Sequence, residues 1–287
     1  MIISETDLIL NPDGSVYHLN LLPAEIAETI ITVGDPDRVA EVSKHFDRIE
    51  VKKQKREFIT HTGYVGSKRI SVISTGIGTD NIDIVFNELD ALVNVNIETR
   101  TEKDHKTSLE IIRIGTSGSL QSHIAIDSLL FSSFGIGFDT LMNFYEFENS
   151  NNELMILDAL KEQLPAFNPY VFAADSSLKK KLAFDMLEGM TVTCSGFYGP
   201  QGRSVRVKNQ HPNFIHQLKN FNYNGFLITN LEMETAGILG MAHVLGHKAC
   251  SINAILASRL EQKFSTNPNA IIEKAIKLVL ERLQTSN

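Results

Sequence analysis

Thr29-Ile30-Ile31-Thr32-Val33-Gly34-Asp35-Pro36-Asp37-Arg38 decides the fold class. The β-branched run reads as a strand, Gly34 stops it, and Pro36 suits the first turn of a helix running towards Phe46. The same order of strand, turn and helix returns along the chain. Arg69-Ile70-Ser71-Val72-Ile73-Ser74 is a strand closed by a turn at Gly76 and Gly78. Ile82, Val85, Phe86, Leu89, Leu92 and Val93 then fall on one face of an amphipathic helix. Residues 110–114, 225–229 and 249–256 read as further strands. Ile272, Ala275, Ile276, Val279, Leu280 and Leu283 mark one face of a C-terminal helix. This alternation predicts an α/β protein with three α/β/α layers around a central mixed, mainly parallel sheet. Open sheets of that class bind ligands beyond the carboxyl ends of their strands, which is where the unusual residues cluster.

The chain of 287 residues, 43% of them hydrophobic, is long enough for one large core. No repeat or low-complexity segment marks a boundary, so a single domain over 1–287 is expected. Residues 94–108 are polar and charge-rich without periodicity, and read as a surface insertion within it. A net charge of −7 and a pI near 5.7 offer no basic face for nucleic acid. No apolar run is long enough for a bilayer, and Met1-Ile2-Ile3-Ser4-Glu5 lacks the order of a signal peptide. The two cysteines, Cys194 and Cys250, read as buried free thiols, and a cytoplasmic protein is expected. The histidines are scattered without HxxxH or Cys/His spacing, so no metal site is expected.

In an acidic chain, positive charge beside tight backbone turns is informative. Arg38 ends Gly34-Asp35-Pro36-Asp37-Arg38, Arg56 stands in Lys55-Arg56-Glu57-Phe58, and Arg113 opens Arg113-Ile114-Gly115-Thr116-Ser117-Gly118. Glycine permits close backbone approach, and arginine offers a planar fork of donors for an oxyanion. Together they point to a small multiply charged anion such as phosphate. Gly34 to Arg38 joins a strand end to a helix start, a favourable place for an anion, although a plain turn with an exposed arginine reads equally well. Arg113 lies inside an apolar strand, so its guanidinium requires an anionic partner from protein or ligand. Arg56, in the charged run from Lys52 to Glu57, reads on composition as part of a solvated strand edge.

Leu231-Glu232-Met233-Glu234-Thr235-Ala236-Gly237 opens an Ala/Gly-rich helix. Its carboxylates either complement the helix N-terminus or accept hydrogen bonds from vicinal hydroxyls, as on a ribose. Phe197-Tyr198-Gly199-Pro200-Gln201-Gly202-Arg203 combines aromatic faces with an amide and a cationic donor. A pyrimidine dione presents carbonyl, N–H and carbonyl along one edge, which Gln201 and Arg203 match; a polar surface loop is the plainer alternative.

Taken together, these five motifs and the pair Tyr17-His18 resemble the nucleoside phosphorylase-I family, in its pyrimidine-directed members. The resemblance spans Tyr17-His18 to Arg259. It implies phosphate binding by Gly34, Arg38, Arg56, Arg113 and Thr116, and ribose binding by Glu232, Met233 and Glu234. For the base it implies Phe197, Gln201, Arg203 and Arg259. Tyr17 and His18 match an aromatic–histidine pair that reaches into the neighbouring subunit, His18 to the ribose and Tyr17 beside the base. Arg56 likewise crosses the interface, so a dimer, or a hexamer built of dimers, with shared sites is implied. Tyr17 stands where phenylalanine is frequent, and Ser258 where asparagine is. Bacterial members can hold a monovalent cation at the interface through a glutamate and a serine; Glu57 matches the first, but Asn81 replaces the second. No cofactor is expected, and the cation is left open.

The activity implied is reversible phosphorolysis of uridine to uracil and ribose 1-phosphate. Purine-directed members use an aspartate after the last strand, where this chain reads Ala257-Ser258-Arg259-Leu260. A purine nucleoside phosphorylase, a nucleosidase of the same fold and a silent nucleoside-binding module are the other readings.

Overall fold

The structure, a computed structural model, describes residues 2–285. The chain forms β1 (Thr29–Val33), α1 (Asp37–Ser43), β2 (Arg48–Lys55), β3 (Phe58–Val65), β4 (Lys68–Ser74) and α2 (Thr79–Asn94). Then come β5 (Val95–Asn96), β6 (Thr101–Glu102), β7 (Glu110–Ser119), β8 (Leu129–Gly137), α3 (Asn151–Gln163) and β9 (Tyr170–Ala173). They are followed by α4 (Ser176–Leu182), β10 (Leu187–Thr193), α5 (Phe214–Asn220), β11 (Asn222–Tyr223) and β12 (Phe226–Glu232). Last are α6 (Thr235–Leu245), β13 (Lys248–Ser258), β14 (Lys263–Phe264) and α7 (Pro268–Thr285). The apolar runs of the sequence therefore nucleate the elements, but β7 and β12 continue beyond them into polar residues.

The main sheet is mixed. β1 pairs in parallel with β4 and β7, β7 with β13, and β10 with β8 and β12. Antiparallel pairing comes from the β2–β3–β4 meander, from β13 against β8, and from short additions at the margins. Part of the sheet closes on itself. β7 pairs β13, β13 pairs β8, β8 pairs β10, β10 pairs β12, and β12 returns to β7 through Asn230 opposite Ser119 and Leu231 opposite Gly118. These five strands close a ring. The closing contact needs the polar ends of β7 and β12, which no apolar pattern announces.

Alternation along the strands sorts side chains to two faces. Ile30 and Ile111 pack with Ile82, Val85, Phe86 and Leu89 of α2 and with α6. Ile31, Val33, Ile112 and Ile114 pack on the other side with Val39 and Val42 of α1 and with Ala275, Ile276 and Val279 of α7. Burying each large apolar side chain contributes roughly 1.5–3 kcal/mol, which holds the layers together. On α7 the buried stripe starts at Ile271, and Ile272 is only partly covered. A third cluster, including Phe134, Ile156, Leu160, Phe214 and Leu218, seats α3 and α5 against the ring.

The 94–108 segment is more ordered than its composition suggests. Asn94 is buried at the end of α2, and β5 and β6 form a small ladder. Ile2 bridges to Thr101, and Arg100 donates to the carbonyls of Ile3, Ser4 and Leu8, so the segment straps the N-terminal arm. No helix among the described residues is long and apolar enough to cross a membrane.

Candidate active site

A cavity of about 700 Å³ opens where β1, β7, β12 and β13 end. It brings Gly34, Arg38, Arg113 and Thr116 together with Glu232, Met233 and Glu234, and with Phe197, Gln201 and Arg203. Ten of the residues nominated from the sequence thus share one space although they come from distant parts of the chain.

Arg113, on β7, is 5% exposed and has its partners within the protein. Nη2 lies 2.7 Å from Glu234 Oε2 and 2.8 Å from Glu232 Oε2, while Nη1 donates to Asn253 Oδ1 at 3.1 Å. The guanidinium folds back over Gly115, where a Cβ would lie 1.7 Å from Nη1; that contact explains the glycine. Burial alone would depress this arginine, but the two carboxylates outweigh it and push it up.

Glu232, the last residue of β12, is consumed by the fold. Its carboxylate accepts from the backbone N–H groups of Glu234 and Thr235, from Thr193 Oγ1 and from Arg113. It therefore satisfies donors at the start of α6, the structural alternative that the sequence left open. Glu234 is less committed: Oε2 meets Arg113, and Oε1 accepts the Gly78 N–H at 2.9 Å. Gly78 sits at φ 94°, a conformation that favours glycine, so the turn before α2 is shaped to deliver that N–H. The Glu234 carboxyl is held above the usual glutamate range by burial, with Arg113 opposing and Glu232 adding to the shift.

Arg38, on α1, contrasts with Arg113. It is half-buried and makes no side-chain hydrogen bond among the described residues. Burial lowers its pKa first, Asp35 opposes and Arg113 adds its like charge. An unpaired guanidinium facing a buried one is a place that favours an anion.

At the other end, Gln201 is 2% exposed, and its Oε1 accepts from Arg203 Nη1 at 2.7 Å. Arg203 also donates to the Phe197 carbonyl and lies 3.8 Å from the centre of the Phe197 ring. The amide, the guanidinium and the ring therefore form one preassembled unit. Arg259 packs beside Gly118 at the edge of the cavity, and its Nη1 is buried without a partner among the described residues. Burial lowers Arg203, with Arg259 adding to the effect, and burial raises the nearby Cys194 thiol to about 12.

Tyr17, His18 and Arg56 do not line this cavity. They form a cluster of their own, with the Tyr17 ring edge-on to His18 at 4.9 Å and Arg56 Cζ 5.9 Å from the Tyr17 ring centre. Glu88 of α2 holds that cluster, accepting from the backbone of His18 and Leu19 and lying 2.7 Å from His18 Nδ1. Glu57 and Asn81 meet at the cavity mouth, with Asn81 Nδ2 donating to Glu57 Oε1 at 3.3 Å. Ser117 also lines the cavity. The sequence showed its hydroxyl within the Arg113–Gly118 motif but gave no reason to separate it from Thr116.

A model of the phosphorylase superfamily matches residues 28–284. A uridine phosphorylase of Thermococcus kodakarensis is 26% identical over 94% of this chain and 88% of its own length. That of Haemophilus influenzae is 27% identical over 94% of this chain and 98% of its own. Among solved structures, a Trypanosoma brucei nucleoside phosphorylase described as showing uridine phosphorylase activity superposes with a TM-score of 0.89. It shares 31% identity over 98% of this chain and 100% of that one. The match runs from β1 to the end of α7 and so includes nearly every strand and loop that builds the cavity. On that extent of sequence and structure, the chain belongs to the phosphorylase superfamily.

Proposed function

We propose that this protein catalyses the reversible phosphorolysis of uridine to uracil and ribose 1-phosphate, a step of pyrimidine salvage. The observation that carries the reading is the convergence in one cavity of the unpaired Arg38, the buried Glu234 and the Gln201–Arg203 unit. The relatives named uridine phosphorylase support it. Phosphate binds between Arg38, Arg113, Thr116 and the Gly34 turn, below the anomeric carbon. The C1′–N1 bond breaks with its electron pair passing to the base, and a phosphate oxygen forms the new bond to C1′. Glu234 and the Met233 backbone fix the ribose hydroxyls, while Gln201 and Arg203 donate to the developing uracil anion; Arg259 and Phe197 complete the base end. Such preorganised donors act on the charge that appears only in the transition state. Phosphate is itself the nucleophile and co-substrate, so the chemistry asks for no cofactor. Arg56, Tyr17 and His18 complete the site of an adjacent subunit, which fits their position outside their own chain's cavity.

The test is uracil release from uridine with and without phosphate, with inosine as comparator. Release should require phosphate, and uridine should greatly exceed inosine. Equal release without phosphate would establish a hydrolase instead, and preference for inosine would favour a purine enzyme.

A further inference from the structure

The interior of the closed ring carries a belt of polar side chains that bond to one another in the order of the strands. Arg113 on β7 donates to Asn253 Oδ1 on β13 at 3.1 Å, and Asn253 Nδ2 donates to Ser132 Oγ on β8 at 2.9 Å. Ser132 lies 2.6 Å from Thr191 Oγ1 on β10, and Thr191 donates to Asn230 Oδ1 on β12 at 2.9 Å. Asn230 Nδ2 then donates to Ser117 Oγ at 2.9 Å, back on β7. Asn253, Ser132, Thr191 and Asn230 are fully buried, so water cannot substitute for the links among them.

The belt has a direction. A guanidinium only donates, so Asn253 must turn its oxygen to Arg113 and its amino group to Ser132. Ser132 accepts there and passes its own hydrogen to Thr191. Thr191 passes its hydrogen to the oxygen of Asn230, leaving the Asn230 amino group for Ser117. One acceptor position of the Ser117 oxygen is thereby taken. Its hydrogen has no acceptor among the described residues, and the residue lines the cavity.

We propose that Asn230 is a positioning residue that, as the last link of this belt, fixes the Ser117 hydroxyl as a donor aimed into the cavity. Its partner there is a hydrogen-bond-accepting oxygen of the bound ligand, on the nucleoside or on phosphate. The proposal rests on the phosphorolysis reading for the identity of those ligands. Fixing the hydroxyl in advance spares its ordering when the ligand arrives.

The experiment is a double-mutant cycle between Asn230→Asp and Ser117→Ala, read as KM and kcat for uridine and for phosphate. Asn230→Asp puts an acceptor where the amino group was and turns the Ser117 hydrogen inwards. Each single change should raise one KM about tenfold, the worth of roughly one hydrogen bond, with kcat within about twofold. Whichever KM rises identifies the ligand that carries the acceptor. Asn230→Asp should then change that KM less than about twofold in the Ser117→Ala background, because neighbours acting through one contact are not additive. Asn230→Ala supplies the same cycle if the buried aspartate prevents folding. Additive losses, or a Ser117→Ala protein that matches wild type, would overturn the proposal. A wild-type protein inactive on uridine with phosphate would instead overturn the functional reading, and the two failures are distinct.

Discussion

Arg113 and Glu234 meet at 2.7 Å, Nη2 to Oε2, inside the fold, joining the strand that carries one half of the cavity to the start of α6 on the other. Glu232 shares the same guanidinium nitrogen at 2.8 Å. Two carboxylates and one arginine therefore neutralise each other only in part, and Arg38 faces them unpaired. The two arginines should thus fail differently when removed.

Arg113→Ala leaves Glu232 and Glu234 buried without their cation. Breaking such a buried group costs about 3–5 kcal/mol of stability, and turnover should fall by a further hundred- to thousandfold. Arg38→Ala removes no side-chain hydrogen bond or salt bridge among the described residues, so its unfolding midpoint in denaturant should stay near wild type while KM for phosphate rises at least about tenfold. Equal destabilisation by both changes would refute the division of roles.

Base choice should depend on the Gln201–Arg203 unit. A site built to hydrogen-bond one edge rejects an analogue that leaves its polar groups unpaired, by as much as about 10⁴-fold. Uridine should exceed inosine by a large factor in kcat/KM. Gln201→Ala should reduce uridine turnover sharply and narrow that ratio, because Arg203 loses the partner 2.7 Å away that fixes it. An unchanged ratio would place base recognition elsewhere.

Glu234 gives the pH dependence its sign. Its carboxyl is raised above the usual glutamate value of about 4.3, chiefly by burial. Accepting ribose hydroxyls requires the ionised form, so kcat/KM should fall as pH drops through a limb lying above that value. Linkage runs the opposite way for stability: the folded state holds this proton more tightly than the unfolded chain. The contribution is full below the unfolded value and is lost as pH rises through the folded one. Glu234→Gln should abolish the acid limb along with most of the activity; a limb that persists unchanged would belong to another group.

Tyr170 and Asp139 offer a test of packing away from the cavity. The phenol donates to Asp139 Oδ2 at 2.7 Å, and both residues are buried. Burial, and then the Asp139 charge, hold the phenol well above its usual range. Tyr170→Phe leaves a buried carboxylate oxygen short of a donor and should cost about 1–3 kcal/mol in denaturant unfolding. No measurable loss would mean that water reaches Asp139.

Much of this was legible where chemistry coincides with a chain signal. Gly34 to Arg38 and Glu232 to Thr235 announce themselves because a strand stops and a helix starts there, and Gly34, Arg38, Glu232 and Glu234 do line the cavity. The ring was not legible. Its closure depends on two residue pairs between β12 and β7, and its interior carries Asn253, Ser132 and Asn230 in strands that are mostly apolar. Isolated polar residues in such runs carry no local sign of which partner across the sheet satisfies them. Nor could composition separate Glu232, which anchors α6, from Glu234, because their difference lies in the donors brought by Thr193 and Gly78 from distant segments.

Arg56 carries the prediction about assembly. It occupies the exposed β2–β3 turn at φ 55°, against Tyr17 and away from its own chain's cavity, which the adjacent Glu57 does line. If Arg56 completes a neighbouring subunit's site, Arg56→Ala and Glu234→Ala should each be nearly inactive as homo-oligomers. Mixing them under conditions of subunit exchange gives dimers in which one site carries both lesions and the other carries neither. Activity should therefore return, towards about a quarter of wild type at equal mixing, since roughly half the dimers are mixed and each has one intact site of two. Measured phosphorolysis that stays at the level of the separate variants, with mixed dimers demonstrated by mass, would place Arg56 in its own chain's site or outside any site.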